Sequence, residues 1–355
     1  MKVRRSWYEN PVYKGAKRLM FECFFRSGVL GLFRHYHRNA VLVLIYHDIL
    51  PPGFPQDNPL FGMTVSTNEF EWQLEYLQRH YNPITFQQFI AWLLDGAELP
   101  PRPVLISFDD GHINNYQFAL PALVKRNMSA VCFVVGGSLG QKQLTWFEDA
   151  HYRLMFSPGT SWKRSNGERW DLLDEKQRAA ACGKFFTLFR TLSSIQQQKE
   201  LESLRSQLPI DAVDGKFPGR FEFLSSKDLQ AMRECGIEIG AHTMTHPILV
   251  RLPTDISEKE IAFSKARLNE ELGTAIRAFA YPFGAPQLDF SQREQEYVRQ
   301  NGFLVAFSAE GGFVKQNSDP FNLPRVGVGR MGRAHFVATI TGAISSLKNS
   351  FSMSG

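Results

Sequence analysis

The sequence predicts an α/β fold closed into a barrel of about seven parallel strands, and three observations predict it. Short apolar runs of four to six residues recur at 41–46, 104–108, 131–135, 237–241, 278–281, 303–307 and 324–328. Such runs, bounded by turn residues, mark strands buried on both faces. Amphipathic segments with helix caps lie between them, and strands alternating with helices favour a parallel sheet. The chain has 355 residues, 43% of them hydrophobic. That is ample for a large core, and seven strands in one chain fit a barrel better than two separate domains.

Taken in order, residues 1–38 stand apart. They carry nine Lys and Arg side chains against Glu9 and Glu22, a net +7. The rest holds 31 basic and 33 acidic side chains, a net −2, so the overall +5 does not describe a basic groove for nucleic acid. Within 14–36, Phe21, Phe24, Phe25, Val29, Leu32 and Tyr36 fall at near-helical spacing among Lys14, Lys17, Arg18, Arg26 and Arg34. Two readings stand side by side: a helix lying on anionic lipid, or a helix packed on its own protein. The apolar stretches here are too short or interrupted for a secretion signal or a membrane span. A cytoplasmic enzyme is the expectation, held at the inner membrane face on the first of those two readings.

The barrel should occupy 39–345. Its first helix is capped by Ser66 with Glu69 and buries Phe70, Leu74 and Leu77; the second is capped by Thr85 with Gln88 and buries Phe86, Phe89, Ile90 and Leu93. Gly96 suits a left-handed stop. Later helices should begin near Ser225, Ser257 and Ser291 and close at Gly236, Gly273 and Gly302. From 142 to 221 no convincing strand is visible. Residues 174–208 are polar and helix-prone, with Phe185, Leu188, Phe189 and Leu192 on one stripe. This predicts a helical insertion beside the mouth of the barrel. Residues 346–355 read as a frayed tail. The four cysteines are scattered, which predicts neither a disulfide framework nor a cysteine zinc site.

Chemistry concentrates at predicted strand ends, where barrel enzymes place their sites. One strand ends in Asp109-Asp110-Gly111-His112. On its own this is an ordinary turn and helix start, but adjacent carboxylates past a buried strand need a compensating cation. Another runs into His242-Thr243-Met244-Thr245-His246, two histidines able to reach one metal. Two imidazoles and one carboxylate form a set that leaves zinc, or a similar divalent ion, open to water and substrate. A third strand end, Tyr281-Pro282-Phe283-Gly284, offers aromatic faces to a sugar ring. His47 ends the first strand, and Arg325 begins the last.

Ser107–Gly111 (S-F-D-D-G) together with His242–His246 (H-T-M-T-H) resembles the first two motifs of the polysaccharide deacetylases, carbohydrate esterase family 4. The resemblance spans roughly 39–330. It implies a distorted (β/α) barrel that removes acetyl groups from amino-sugar polymers, or occasionally esters from xylan. Carried over by position, Asp109 would be the general base, and Asp110, His242 and His246 the metal ligands. Tyr281 would lend its backbone N–H to the oxyanion. Two family features are absent. Ala280 stands where the third motif has arginine, and the late Leu-x-His has no match, His335 following Arg333-Ala334 instead. The Tyr-His-Asp opening and Tyr-Pro-Phe-Gly segment resemble the branch found with bacterial exopolysaccharide and surface-glycan systems. On that basis Arg325 would orient Asp109, and His47 would supply the acid. Three rivals remain: an O-acetyl esterase on the same fold, a catalytically silent glycan-binding protein, and a nucleotide-sugar transferase. The last would need a phosphate loop, for which Gly136-Gly137-Ser138 is a poor substitute.

Overall fold

The computed structural model describes residues 11–53, 62–210 and 220–344. Along the chain, α1 (Pro11–Ser27) and α2 (Leu30–Tyr36) precede β1 (Leu42–Tyr46), and a side pair, β2 (Asp48–Leu50) and β3 (Thr64–Ser66), follows. Next come α3 (Thr67–His80), β4 (Asn82–Pro83), α4 (Phe86–Asp95), β5 (Pro103–Phe108), α5 (Leu120–Val124) and β6 (Ala130–Val134). An insertion carries α6 (Trp146–Phe156), β7 (Ser161–Lys163), β8 (Arg169–Asp171), α7 (Glu175–Phe189) and α8 (Ser194–Gln207). The barrel resumes with α9 (Ser226–Glu234), β9 (Glu238–Ala241), α10 (Thr254–Leu272), β10 (Ala278–Ala280), α11 (Gln292–Gln300), β11 (Val305–Phe307), β12 (Val326–Gly327) and α12 (Arg333–Ile340).

The main sheet runs β11-β10-β9-β6-β5-β1-β12, all pairs parallel, with β4 added beside β5. Its two ends meet where Phe307 bridges Leu323, and this irregular seam makes the (β/α) barrel a distorted one. Every one of the seven apolar runs contributes one of these seven strands. Alternation across the strands splits the core in two. Leu42, Leu44, Tyr46, Val104, Ile106 and Phe108 face the helices, whereas Val43, Leu105, Val131, Phe133, Val305 and Phe307 fill the interior together with the apolar face of α4.

The helix caps follow the sequence with one exception. Thr85 and Gln88 form the reciprocal box, Gly96 ends α4 at φ 75°, and Ser225 and Ser291 cap α9 and α11. Ser66 accepts from the Glu69 N–H. Ser257, expected to start a helix, lies inside α10, whose N-cap is Pro253; its hydroxyl instead donates to Glu294. The insertion was expected to be helical throughout, yet β7 and β8 form an antiparallel hairpin with Trp162 opposite Trp170. The signal was present in Asn166-Gly167, with Gly167 at φ 90° turning the chain.

The N-terminal helices pack on their own protein. Phe21 stacks on His335 of α12, Leu30 is buried, and Phe24 and Phe33 rest on the core, while Leu19, Leu32 and Tyr36 face outward. The expected frayed tail lies outside the described residues. All four cysteines are free thiols, and Cys132 is buried within β6.

Candidate metal centre and active site

Four parallel strands deliver the site from their C-terminal ends: His47 follows β1, Asp109 and Asp110 follow β5, His242 follows β9, and Tyr281–Gly284 follow β10. The Asp110 Oδ1 atom lies 3.7 Å from His242 Nε2 and 3.5 Å from His246 Nε2. These are the separations of donors each about 2.1 Å from one centre at tetrahedral to trigonal angles. His242 Nδ1–H donates to the Ala280 carbonyl at 2.7 Å, which leaves the Nε2 lone pair directed at Asp110. The residues therefore fit a divalent metal, and the donor set of two nitrogens and one oxygen suits zinc.

The loops that carry these three residues are tightly wound. Asp110, Thr243, His246 and Phe283 all have positive φ, at 76°, 65°, 58° and 58°. Such backbone is costly outside glycine and persists only when its surroundings enforce it. Around His246 the enforcement is visible. The Glu260 carboxylate accepts both the Met244 and Thr245 N–H groups at 2.9 Å, and Thr243 Oγ1 accepts the His246 N–H. Gly136 and Gly137 donate to the carbonyls of Thr243 and Met244. A Cβ at Gly137 would sit 2.5 Å from the Met244 oxygen, so only glycine fits there. These amides are thus occupied by the histidine loop and are not a phosphate cradle.

Asp109 is fully engaged by Arg325, whose Nη1 and Nη2 donate to its two oxygens at 2.7 and 2.8 Å. The guanidinium is buried in the barrel interior over Phe133 and Phe307, and also donates to Ser107 and the Ser308 carbonyl. Burial would raise the Asp109 pKa, but Arg325 outweighs it and holds the carboxyl at about 2. Asp110 lacks such a partner. Burial, with Asp109, Glu148 and Asp48 nearby, drives it up to about 7 despite His112. His242 and His246 are both pulled down by burial and rest neutral, the state in which imidazole binds metal.

His47 has a buried Nδ1 without a hydrogen-bond partner among the described residues, and its carbonyl accepts from Asn115. Burial lowers its pKa to about 4, against the pull of Asp109. His335 is remote from this chemistry in α12, stacked on Phe21.

One expectation fails at β10. The Tyr281 N–H donates to the Phe307 carbonyl at 3.0 Å, its ring stacks on Phe290, and its hydroxyl donates to Phe321, so Tyr281 is a core residue whose amide is already committed to the barrel ladder. Pro282 is buried and has no N–H. Phe283, by contrast, is partly exposed, its amide has no partner among the described residues, and its ring lies 5.0 Å from that of His246.

Sequence reasoning missed a second buried cluster next to the candidate metal site. His112 Nδ1 is 3.1 Å from Asp48 and its Nε2 is 3.3 Å from Glu148 in α6. Arg220 reaches the same two carboxylates at 2.6 and 3.2 Å. Burial would keep His112 neutral, but the two carboxylates raise its pKa to about 10 and hold it charged. Also missed were Trp146, whose indole N–H donates to the His246 carbonyl, and Phe147, whose ring is 4.7 Å from that of His246.

The polysaccharide deacetylase family model matches residues 96–305. The chain belongs to that family. A putative polysaccharide deacetylase of Bacillus subtilis, YxkH, is 33% identical over 101 residues, 28% of this chain and 33% of that protein. The poly-beta-1,6-N-acetyl-D-glucosamine N-deacetylase of Staphylococcus aureus is 29% identical over 116 residues, 30% of this chain and 40% of its own length. The matched region thus spans only about a third to two fifths of these relatives. Among solved structures, IcaB from Ammonifex degensii superposes with a TM-score of 0.56 at 21% identity, covering 85% of this chain and 97% of that one. The Streptococcus pyogenes deacetylase PplD has the same TM-score at 17% identity, covering 85% and 99%. Both share the fold.

Proposed function

We propose that this deacetylase-family chain is a metal-dependent hydrolase that removes N-acetyl groups from amino sugars of a polysaccharide or glycan precursor, releasing acetate and a free amine. One observation carries the reading: Asp110, His242 and His246 converge on a single point beside Asp109, a second carboxylate kept charged by Arg325. The name of the Staphylococcus aureus relatives favours the amide over the ester as the bond cleaved.

Held by the three ligands, a divalent ion such as zinc would polarise the acetyl carbonyl and acidify water. Asp109 takes the proton from the attacking water. Arg325 occupies one lone pair on each of its oxygens and fixes the carboxylate plane, leaving another lone pair on each to receive that proton. His47 rests uncharged near neutral pH, so it must acquire a proton during turnover. The one Asp109 removes from water is the source, and His47 then gives it to the departing amine. With the Tyr281 amide committed to the sheet, the Phe283 N–H takes over as oxyanion donor. The rings of Phe283 and Phe147 flank His246 and form an apolar wall for the sugar.

The test is direct. The purified chain is incubated with β-1,6-linked N-acetylglucosamine oligomers and with O-acetylated xylo-oligomers, with and without chelator, and acetate and free amine are quantified. Chelator-sensitive release of equal acetate and amine is the expected result. Acetate from the O-acetyl substrate alone would establish the esterase, and none from either would leave a silent glycan-binding protein.

Among the described residues no helix is long and apolar enough to cross a membrane. The outward Leu19, Leu32 and Tyr36, on a segment of net +7, support a peripheral seat on anionic lipid at the cytoplasmic face.

A further inference from the structure

We propose that the first turn of α6, Trp146 to Glu148, is a positioning element that holds both ligand-bearing loops of the metal centre in register, which makes the insertion a working part of the active site. This rests on the metal reading above and extends it to residues that lie outside both ligand motifs.

Two contacts leave this one turn, one to each of the two ligand-bearing loops. Toward the histidines, the Trp146 indole Nε1–H donates to the His246 carbonyl at 2.8 Å. His246 sits at φ 58°, a conformation that needs external support, and this bond pins its C-terminal side while Thr243 Oγ1 pins its N–H. The indole is itself immobilised, stacked on Phe189 of α7 with ring centres 4.3 Å apart. Toward the aspartates, Glu148 lies 3.3 Å from His112, two residues beyond Asp110. His112 is in turn 3.1 Å from Asp48, the neighbour of His47. Arg220 closes the ring by reaching both Glu148 and Asp48.

The anchor of this turn is equally defined. Thr145 caps α6, accepting the Glu148 N–H while Glu148 Oε2 accepts the Thr145 N–H and hydroxyl. Glu148 therefore cannot shift without uncapping its helix. Between the two contacts, the Phe147 ring packs on the His246 ring. A helix that merely covered the barrel would need none of these directed polar bonds.

Groups that orient metal ligands from behind are each worth about 10–100-fold in metal affinity. The test compares the full chain with Trp146→Phe, which keeps the stacking ring and deletes the N–H, and Glu148→Gln, which keeps the cap and deletes the charge. Glu200→Gln serves as control: it breaks a buried pair with Arg164 inside the insertion and touches neither ligand loop. Zinc affinity is read by competition with a chromophoric chelator, Co²⁺ coordination by its visible absorption bands, and folding by Tm.

The expected result is a loss of about tenfold or more in zinc affinity for Trp146→Phe and Glu148→Gln, with altered Co²⁺ bands. In Trp146→Phe the Tm stays near that of the parent. Glu200→Gln lowers Tm and leaves affinity and bands unchanged. Parent-like zinc affinity and Co²⁺ bands in both α6 variants would overturn the positioning role while leaving the metal centre standing. A parent protein that binds neither ion would instead overturn the metal reading itself, and the positioning role with it.

Discussion

Arg325→Met removes the guanidinium that makes both hydrogen bonds to Asp109 and leaves a carboxylate buried at 4% exposure without its cation. Breaking a buried pair from one side costs about 3–5 kcal/mol, because the surviving charge is stranded. With about 2.1 cal/mol/K of unfolding entropy per residue, that cost lowers Tm by about 4–7 °C for a chain of this length. Burial then acts on Asp109 against only the weaker pull of His242 and His47, its pKa rises from about 2, and the acidic limb of kcat/KM moves to higher pH. Asp109→Asn in the same background removes the stranded charge and should recover part of the lost stability. Differential scanning calorimetry on the two single variants, the double variant and the parent, with pH–rate profiles for the active ones, supplies every number. An Arg325→Met protein with parental Tm and an unmoved acidic limb would refute the argument that this arginine holds Asp109 charged.

Asp109→Asn alone should reduce turnover by about 10²–10⁴-fold and leave zinc content unchanged, as measured by acetate release and elemental analysis. His112 has a folded pKa of about 10 against 6.5 unfolded. Its contribution to stability is fully present below pH 6.5 and disappears as pH rises through 10, so urea midpoints should fall across that range more steeply in the parent than in His112→Gln. Deleting residues 1–38 should abolish co-sedimentation with vesicles of anionic lipid; because Phe21 and Leu30 are buried, it should also lower Tm. Unchanged sedimentation of the deletion variant would exclude the segment as a lipid anchor.

The strands were legible because a parallel barrel buries both faces of each one, so each appears as an unbroken apolar run. The candidate metal site was legible because each motif is local: two aspartates side by side, two histidines four residues apart. The Asp48–His112–Glu148–Arg220 cluster had no such trace. Its members come from four separate segments, and only the closed barrel with its insertion brings them together. Tyr281 failed for a finer reason. Whether a backbone amide is free or committed depends on which peptide is last in the ladder, and the sheet continues one bond past β10 to the Phe307 carbonyl. Arg325 sits on the opposite side of β1 from β5, yet its length carries the guanidinium across the interior to the carboxylate at the end of β5.

The charges around the barrel mouth also favour Asp110 over its neighbour Asp109 as the ligand in the proposed metal centre. Asp109 is balanced by Arg325, and Asp48 and Glu148 are balanced by His112 and Arg220. Asp110 alone of these four has no lysine or arginine paired with it among the described residues; the charged His112 offsets its burial only in part, and the imidazoles of His242 and His246 beside it are kept neutral by burial. A buried ionised carboxylate without a counter-charge is among the most costly arrangements a fold can hold. A divalent cation at the point where Asp110, His242 and His246 converge removes that cost. It would use the only unpaired negative charge of the cluster and leave the Asp109–Arg325 pair intact for proton transfer. In the proposed mechanism two adjacent aspartates would thus take different roles from the cations around them, which the sequence, with its bare Asp109-Asp110, could not distinguish without the resemblance.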